Sequence, residues 1–106
     1  MEFIANEVEK LLRMNRFNIH KYECLTKYGK SIYLNVREFN SDNGKIISSF
    51  RISDHELGEK RKQLHYYIPQ DEDIENVYKL VNKAILEIKT FKNTFKGNNK
   101  IVKLKK

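Results

Sequence analysis

The clearest structural pattern in this sequence is SIYLNVREF at residues 31–39, followed by NSDNG at 40–44 and KIISSFRIS at 45–53. The first segment alternates with a period of two, which is typical of a half-buried strand. One face carries Ile32, Leu34 and Val36, and the other carries Tyr33, Asn35, Arg37 and Phe39. The second segment consists of turn residues, because Asn and Gly tolerate positive φ and Asp and Ser bond their own backbone. The stretch therefore predicts a hairpin.

The third segment, residues 45–53, is the next predicted strand, and its pattern predicts which of its faces is toward the core. Its alternation predicts one face with Ile46, Ser48, Phe50 and Ile52 toward the core, and the other with Ile47, Ser49, Arg51 and Ser53. Two more strands flank this hairpin. Residues 17–25 are rich in β-favouring side chains and end in a turn at 27–30, and the alternation of residues 64–68 ends at Pro69.

Helical periodicity marks both ends of the chain. Ile4, Val8, Leu11 and Leu12 predict a helix over residues 2–15. A second stripe runs from Ile74 to Phe95, after acidic residues that suit a helix N-terminus, and Gly97 is expected to end it. The expected fold class is α+β: an N-terminal helix, a three- to four-stranded antiparallel sheet and a long C-terminal helix packed on one sheet face. We expect one domain over residues 1–97 and a basic tail over 98–106.

Composition limits the protein class. One cysteine, Cys24, cannot form an internal disulfide, and no apolar run approaches the roughly 20 residues of a membrane span. No signal-peptide pattern precedes the first helix, so we expect a cytoplasmic protein without a membrane partner. The formal net charge of +7 favours a polyanionic partner.

The charge concentrates in two places. Residues 59–62 hold three basic side chains and one acidic one, and residues 97–106 hold four lysines and no acid. Such runs bind polyanions without specificity or serve only to solubilise the chain. Both interpretations remain open. The candidate residues are Lys60, Arg61, Lys62, Lys103, Lys105 and Lys106.

If the helices cover the face with Leu34, the opposite face exposes Tyr33, Arg37 and Arg51. Aromatic and basic side chains on a sheet stack bases and contact phosphates, so this face suits single-stranded nucleic acid. The same residues suit a protein interface, including a homodimer. They are also ordinary on a solvated sheet face. The three interpretations stay open.

Catalytic and metal sites have little support. Asp54 and His55 form a candidate functional turn at the end of a strand, but no second convergent group accompanies them, and backbone capping explains them as well. His20 and Cys24, with His65 further along, lack the paired spacing of zinc ligands. No glycine-rich phosphate loop is present. We predict no catalytic residue, no metal and no cofactor.

The strand end Arg51-Ile52-Ser53-Asp54-His55, Arg-x-Ser-Asp-His, resembles an element of short phage and prophage accessory proteins. That group includes anti-CRISPR and other anti-defence inhibitors. The resemblance implies stoichiometric action on a host protein or nucleoprotein complex. The order of four strands and a long helix is also similar to the single-stranded-DNA-binding transcription coactivator and Whirly proteins, from which the leading helix departs.

Three functional hypotheses follow. The first is a non-enzymatic phage or mobile-element inhibitor or adaptor that acts on a host protein or nucleoprotein. The second is a sequence-tolerant protein that binds single-stranded nucleic acid. The third is a nucleotide-sequestering protein or small enzyme that uses the His55 region.

Overall fold

The computed structural model describes residues 1–37, 45–56 and 63–105, and it describes side chains as far as residue 91. The elements follow the order α1 (Glu2–Met14), β1 (Asn18–Thr26), β2 (Gly29–Arg37), β3 (Ile46–Ser53), β4 (His65–Pro69) and α2 (Ile74–Lys105). The strands form one sheet in the order β1-β2-β3-β4, and the side chains of both helices pack against the same sheet face. The predicted α+β class is confirmed.

Helix α1 buries one stripe and ends in a tight turn. Val8 and Leu12 have no exposed surface, as the helical spacing predicts. After the helix, Arg16 takes a positive φ of 66°, and the backbone N–H of Phe17 donates to the carbonyl of Leu12 at 3.1 Å. The N–H of Arg16 donates to the carbonyl of Arg13 at 2.9 Å. These two bonds form a Schellman motif, which turns the chain into β1.

Helix α2 starts where the acidic residues predict. The backbone N–H of Glu75 approaches Oδ1 of Asp73 at 3.4 Å, and the N–H of Val77 donates to the carbonyl of Asp73. The prediction that Gly97 ends the helix is wrong, because α2 continues to Lys105. A glycine costs a helix only about 1 kcal/mol, and no proline follows to stop it. Residues 98–105 of the expected basic tail thus lie within α2, and the division into a domain and a tail stays a prediction.

The core lies between the helices and one face of the sheet. Its largest fully buried side chains are Phe50, Leu12, Ile32, Leu34, Ile52, Ile68 and Ile88. They come from both helices and from three strands, which accounts for the predicted alternation in β2 and β3. Among the described helices, none combines the length and the apolar character that crossing a bilayer requires.

The sheet is mixed, so the expectation of a purely antiparallel sheet is wrong. β1, β2 and β3 pair antiparallel, but β4 pairs parallel to β3, with Phe50 opposite Tyr66 and Ile52 opposite Ile68. Eleven residues separate β3 from β4. That length allows the chain to return to the other end of β3, whereas a hairpin needs only two to five residues. β4 lies at the edge of the sheet.

A bulge shifts the start of β3. Val36 is opposite Ser48, but Arg37 is opposite Ile46, so Ile47 has no cross-strand partner. The shift reverses the predicted facing at this end of the strand. Ile46, predicted to face the core, is 50% exposed, and Ile47 packs against the core instead. The predictions for Phe39, the turn at 40–44 and the basic run at 59–62 lie outside the described residues.

Candidate functional site

The sheet face opposite the helices is the candidate site, and it is named here the open face. Its residues alternate along each strand with residues on the helix side of the sheet, and no described helix packs on it. The strand positions on this face are Asn18, His20, Tyr22, Cys24 and Thr26 of β1, Ser31, Tyr33, Asn35 and Arg37 of β2, Ile46, Ser49, Arg51 and Ser53 of β3, and His65, Tyr67 and Pro69 of β4.

Four of these side chains form a row across all the strands. Tyr22 is opposite Tyr33, Tyr33 is opposite Arg51, and Arg51 is opposite Tyr67. The rings of Tyr22 and Tyr33 are stacked, with their centroids 5.0 Å apart and an angle of 8° between their planes. At the other end, the guanidinium carbon of Arg51 lies 4.7 Å from the ring centroid of Tyr67. This set of four residues is named the aromatic row.

The guanidinium of Arg51 is incompletely hydrogen-bonded. Its Nη1 is buried and has no hydrogen-bond partner among the described residues. A buried donor left without an acceptor costs about 1–3 kcal/mol, and the cation–π contact with Tyr67 offsets only part of that cost.

A polar row lies beside the aromatic row. It runs His20, Asn35, Ser49 and His65 from β1 to β4. The Ser49 hydroxyl donates to Oδ1 of Asn35 at 2.8 Å, and the ring of His20 lies 5.6 Å from that of Tyr22. Asn35 and Ser49 are buried and bond to each other, so the exposed polar groups of this row are the imidazoles of His20 and His65 at its two ends.

The charge of the open face is one-sided. Its strand positions in the described residues include two arginines and two histidines, and they include no aspartate or glutamate. The β1 carboxylate, Glu23, lies on the helix side of the sheet, opposite Ile32. Strand positions without a carboxylate do not repel a polyanion, and the two arginines attract one.

The predicted functional turn forms a hydrogen-bonded cluster at the end of β3. Nδ1 of His55 lies 2.7 Å from Oδ1 of Asp54 and 2.9 Å from Oγ of Ser53. Ser53 is 1% exposed, and its hydroxyl also accepts a bond from Ser31 at 3.0 Å. In a serine–histidine–aspartate triad the serine and the aspartate contact different ring nitrogens. Here both contact Nδ1, so the arrangement holds the ring in place rather than relaying a proton through it.

The same cluster constrains the start of β2. The hydrogen bond with His55, followed by the backbone N–H of Lys30, lowers the pKa of the Asp54 carboxyl. Gly29 lies against both side chains with a φ of +136°. A Cβ at this position would collide with Oδ1 of Asp54 and lie 2.8 Å from Nδ1 of His55. The close approach requires glycine.

The structure brings together only some of the predicted site residues. Tyr33 and Arg51 are cross-strand neighbours in the aromatic row, and Arg37 lies on the same face at the end of β2. Asp54 and His55 lie beyond the end of β3. The remaining predictions are not tested by these residues: Lys60, Arg61, Lys62 and Lys106 lie outside the described residues, and Lys103 and Lys105 lie in α2 without described side chains.

Tyr22 and Tyr67 were not predicted as site residues. Tyr22 could have been found, because the two-residue turn at Lys27 and Tyr28 fixes the hairpin register and places it opposite Tyr33. Tyr67 could not, because its position depends on a long connection and a parallel pairing that no local signal encodes.

A groove lies at the β4 edge of the sheet, between β4 and α2. Its volume is about 500 Å³, and it is lined by Gln63, Leu64, Tyr66, Leu86, Glu87, Thr90 and Phe91. The hydroxyl of Tyr66 donates to Oε1 of Glu87 at 2.6 Å, and burial together with this bond raises the pKa of the tyrosine. Within the described ranges, no three His, Cys, Asp or Glu side chains converge in a way that could hold a metal ion.

Comparison with models of protein families, with curated proteins and with solved structures finds no match to this chain. The proposals below therefore depend on the geometry and chemistry of the open face.

Proposed function

We propose that the protein binds single-stranded nucleic acid on its open face, with little dependence on sequence and without catalysis. The observation that supports this proposal is the aromatic row on a face whose strand positions carry arginines and histidines but no carboxylate. Aromatic rings stack any base, and arginines contact the phosphates. The combination predicts affinity with little base discrimination.

The geometry suggests how the strand lies. Tyr22 and Tyr33 already cover one ring face each, so a base stacks on the outer face of Tyr22, which is 40% exposed. Arg51 lies two strands away, at roughly 10 Å across the sheet. A nucleic-acid backbone running across the strands reaches both positions. The exposed imidazole groups of His20 and His65 lie beside this path.

The proposal is tested by fluorescence anisotropy with a labelled single-stranded oligonucleotide. Tyr22→Ala is expected to weaken binding about tenfold or more, because base–aromatic stacking contributes roughly 1–3 kcal/mol. Tyr33→Ala is expected to weaken binding as well, because it removes the ring against which Tyr22 stacks. Arg51→Gln is expected to weaken it as well. The matched controls are Tyr28→Ala, a tyrosine 61% exposed in the β1–β2 turn, and Lys83→Gln, an exposed cation on α2. Neither control should change the affinity.

A further variant separates the open face from the C-terminal lysines. If replacing Lys103, Lys105 and Lys106 by glutamine removes all binding while Tyr33→Ala has no effect on a correctly folded protein, the open face is not the site. Unfolding transitions of each variant, measured beside the wild type, distinguish a lost contact from a lost fold.

The second candidate is the stoichiometric inhibitor or adaptor that acts on a host protein or nucleoprotein. Exposed apolar side chains at one end of the β1–β2 hairpin favour it, since Leu25 is 81% and Tyr28 is 61% exposed. This proposal predicts that Tyr28→Ala weakens capture of a defined protein partner and leaves oligonucleotide binding unchanged. Equal loss of both activities on Tyr33→Ala would instead favour one shared nucleic-acid site.

A further inference from the structure

Strand β1 is a nine-residue edge of the sheet, and its backbone shows which groups point away from the sheet. The N–H of Ser49 donates to the carbonyl of Leu64 beside β4, so odd-numbered β3 residues bond toward β4 and even-numbered ones toward β2. Phe50 is opposite Leu34, so even-numbered β2 residues bond to β3. Odd-numbered β2 residues therefore bond to β1.

The same alternation carries over to β1. Tyr22 is opposite Tyr33, so even-numbered β1 residues bond to β2 and odd-numbered ones direct their N–H and C=O groups outward. The carbonyl of Ile19 agrees with this assignment, because it accepts a bond from Nη2 of Arg13 at 3.2 Å rather than from the sheet. The outward positions of β1 are Ile19, Lys21, Glu23 and Leu25.

These four positions have a self-complementary order, apolar, basic, acidic, apolar. In an antiparallel pair of two β1 strands centred on Tyr22, Lys21 lies opposite Glu23 of the second copy. In the same register, Ile19 lies opposite Leu25, which is 81% exposed in the single chain. Opposite charges and apolar side chains placed directly across two strands stabilise the pair.

We propose that a second copy of this chain pairs with β1 in this register, so that two four-stranded sheets become one sheet of eight strands. Four hydrogen-bonded pairs, each exchanging two bonds, supply about eight backbone hydrogen bonds between the copies. The neighbouring registers are disfavoured. A two-residue shift in one direction places Lys21 opposite Lys21 of the second copy. The shift in the other direction places Glu23 opposite Glu23 of the second copy. Like charges in direct opposition destabilise a strand pair.

The existing contacts of the edge are compatible with this pairing. Lys21 lies 3.8 Å from Glu2 and 3.9 Å from Glu9, and Glu23 lies 3.3 Å from Lys30. Glu2, Glu23 and Lys30 are exposed, so their ion pairs contribute little and rearrange easily. Lys21 and Glu9 are half-buried, and Lys21 also donates to Oδ1 of Asn6 at 3.0 Å, so Lys21 keeps these contacts on the helix side while its backbone pairs with the second copy. The carbonyl of Ile19 has two lone pairs, so it can accept a bond from the second copy while it retains Arg13.

Pairing would also extend the open face. Because the two-fold axis is perpendicular to the sheet, both open faces lie on the same side, and the two Tyr22 residues become neighbours. The aromatic rows then join into one line of eight side chains. This consequence rests on the proposed function, whereas the dimer itself does not and is tested without nucleic acid.

A cysteine cross-link tests the register. The pairing places His20 opposite Cys24 of the second copy at a position without backbone hydrogen bonds, where Cα atoms approach to about 4.5 Å. His20→Cys should therefore give a covalent dimer on mild oxidation. Within one chain the two thiols are roughly 13 Å apart and cannot bridge. Asn18→Cys is the matched control, because its new thiol lies opposite Thr26 of the second copy and should not cross-link.

Charge reversal tests the partner. In sedimentation experiments, Glu23→Lys alone and Lys21→Glu alone should each weaken the dimer roughly tenfold or more, because two attractive pairs become two repulsive ones. A mixture of the two variants should dimerise again, since each chain then meets opposite charges. Destabilised folding cannot explain such a rescue.

The proposal is overturned if the wild type sediments as a monomer at every concentration used, or if the His20→Cys and Asn18→Cys variants cross-link equally. Oligonucleotide binding by a monomeric protein would leave the proposed function in place and remove only the dimer. A dimer that binds no oligonucleotide would leave the proposed dimer in place and remove the proposed function.

Discussion

Gly29 shows how one residue fixes the junction between the β1–β2 turn and the end of β3. Its φ of +136° is a backbone conformation that residues with a side chain rarely adopt. The side chains of Asp54 and His55 occupy the space that a Cβ would need. Gly29→Ala is expected to lower the free energy of unfolding by roughly 1–3 kcal/mol, since strained backbone conformations cost about that much. Chemical denaturation monitored by circular dichroism measures the change.

The control for this prediction removes the collision. In a background with Asp54→Ala, the glycine substitution should cost less, because only the backbone strain and the contact with His55 remain. Equal costs in the two backgrounds would show that the carboxylate does not restrict this position.

At the level of the helices, the two neighbouring residues Ile85 and Leu86 of α2 differ sharply in burial. Ile85 is 5% exposed and packs in the core, whereas Leu86 is 66% exposed beside the groove. Ile85→Ala is expected to cost about 2–5 kcal/mol of unfolding free energy, and Leu86→Ala should change it by less than about 0.5 kcal/mol. Thermal or urea unfolding of both variants tests which side of α2 faces the sheet.

A large loss of stability on Leu86→Ala would contradict the orientation of α2. It would mean that the groove between β4 and α2 is closed by this side chain in solution. Similar small effects from both substitutions would instead place the core contacts of α2 elsewhere along the helix.

At the scale of the whole molecule, salt separates stacking from charge in the proposed nucleic-acid complex. For single strands, each neutralised phosphate contributes about −0.7 to the slope of log K against log salt. Tyr33→Ala should lower the affinity at every salt concentration without changing the slope. Arg51→Gln should make the slope shallower by about 0.7. Replacing the three C-terminal lysines by glutamine should make the slope shallower by up to about 2. Anisotropy titrations at three or more salt concentrations measure both quantities.

A slope that changes with Tyr33→Ala, or one that ignores Arg51→Gln, would contradict the assigned roles. Lys83→Gln is the charge control, because it removes one cation on the helix side of the molecule and should leave the slope unchanged.

Local sequence patterns predict the helices, the strands and most of the core. Alternation in residues 31–39 and the helical stripe after residue 73 are local patterns, and burial of one face follows from them directly. Tyr33 and Arg51 were placed on the uncovered face by the same argument. Their signals lie within a few residues of chain, so no knowledge of distant neighbours was needed.

The remaining features depend on contacts between residues that are far apart in the sequence. The parallel pairing of β4 depends on the path of a long connection, and the facing of Ile46 depends on a bulge opposite Arg37. The aromatic row exists because strands distant in sequence meet in one register, which brings Tyr67 beside Arg51. A register couples residues through backbone hydrogen bonds across the sheet, and local periodicity does not encode those bonds.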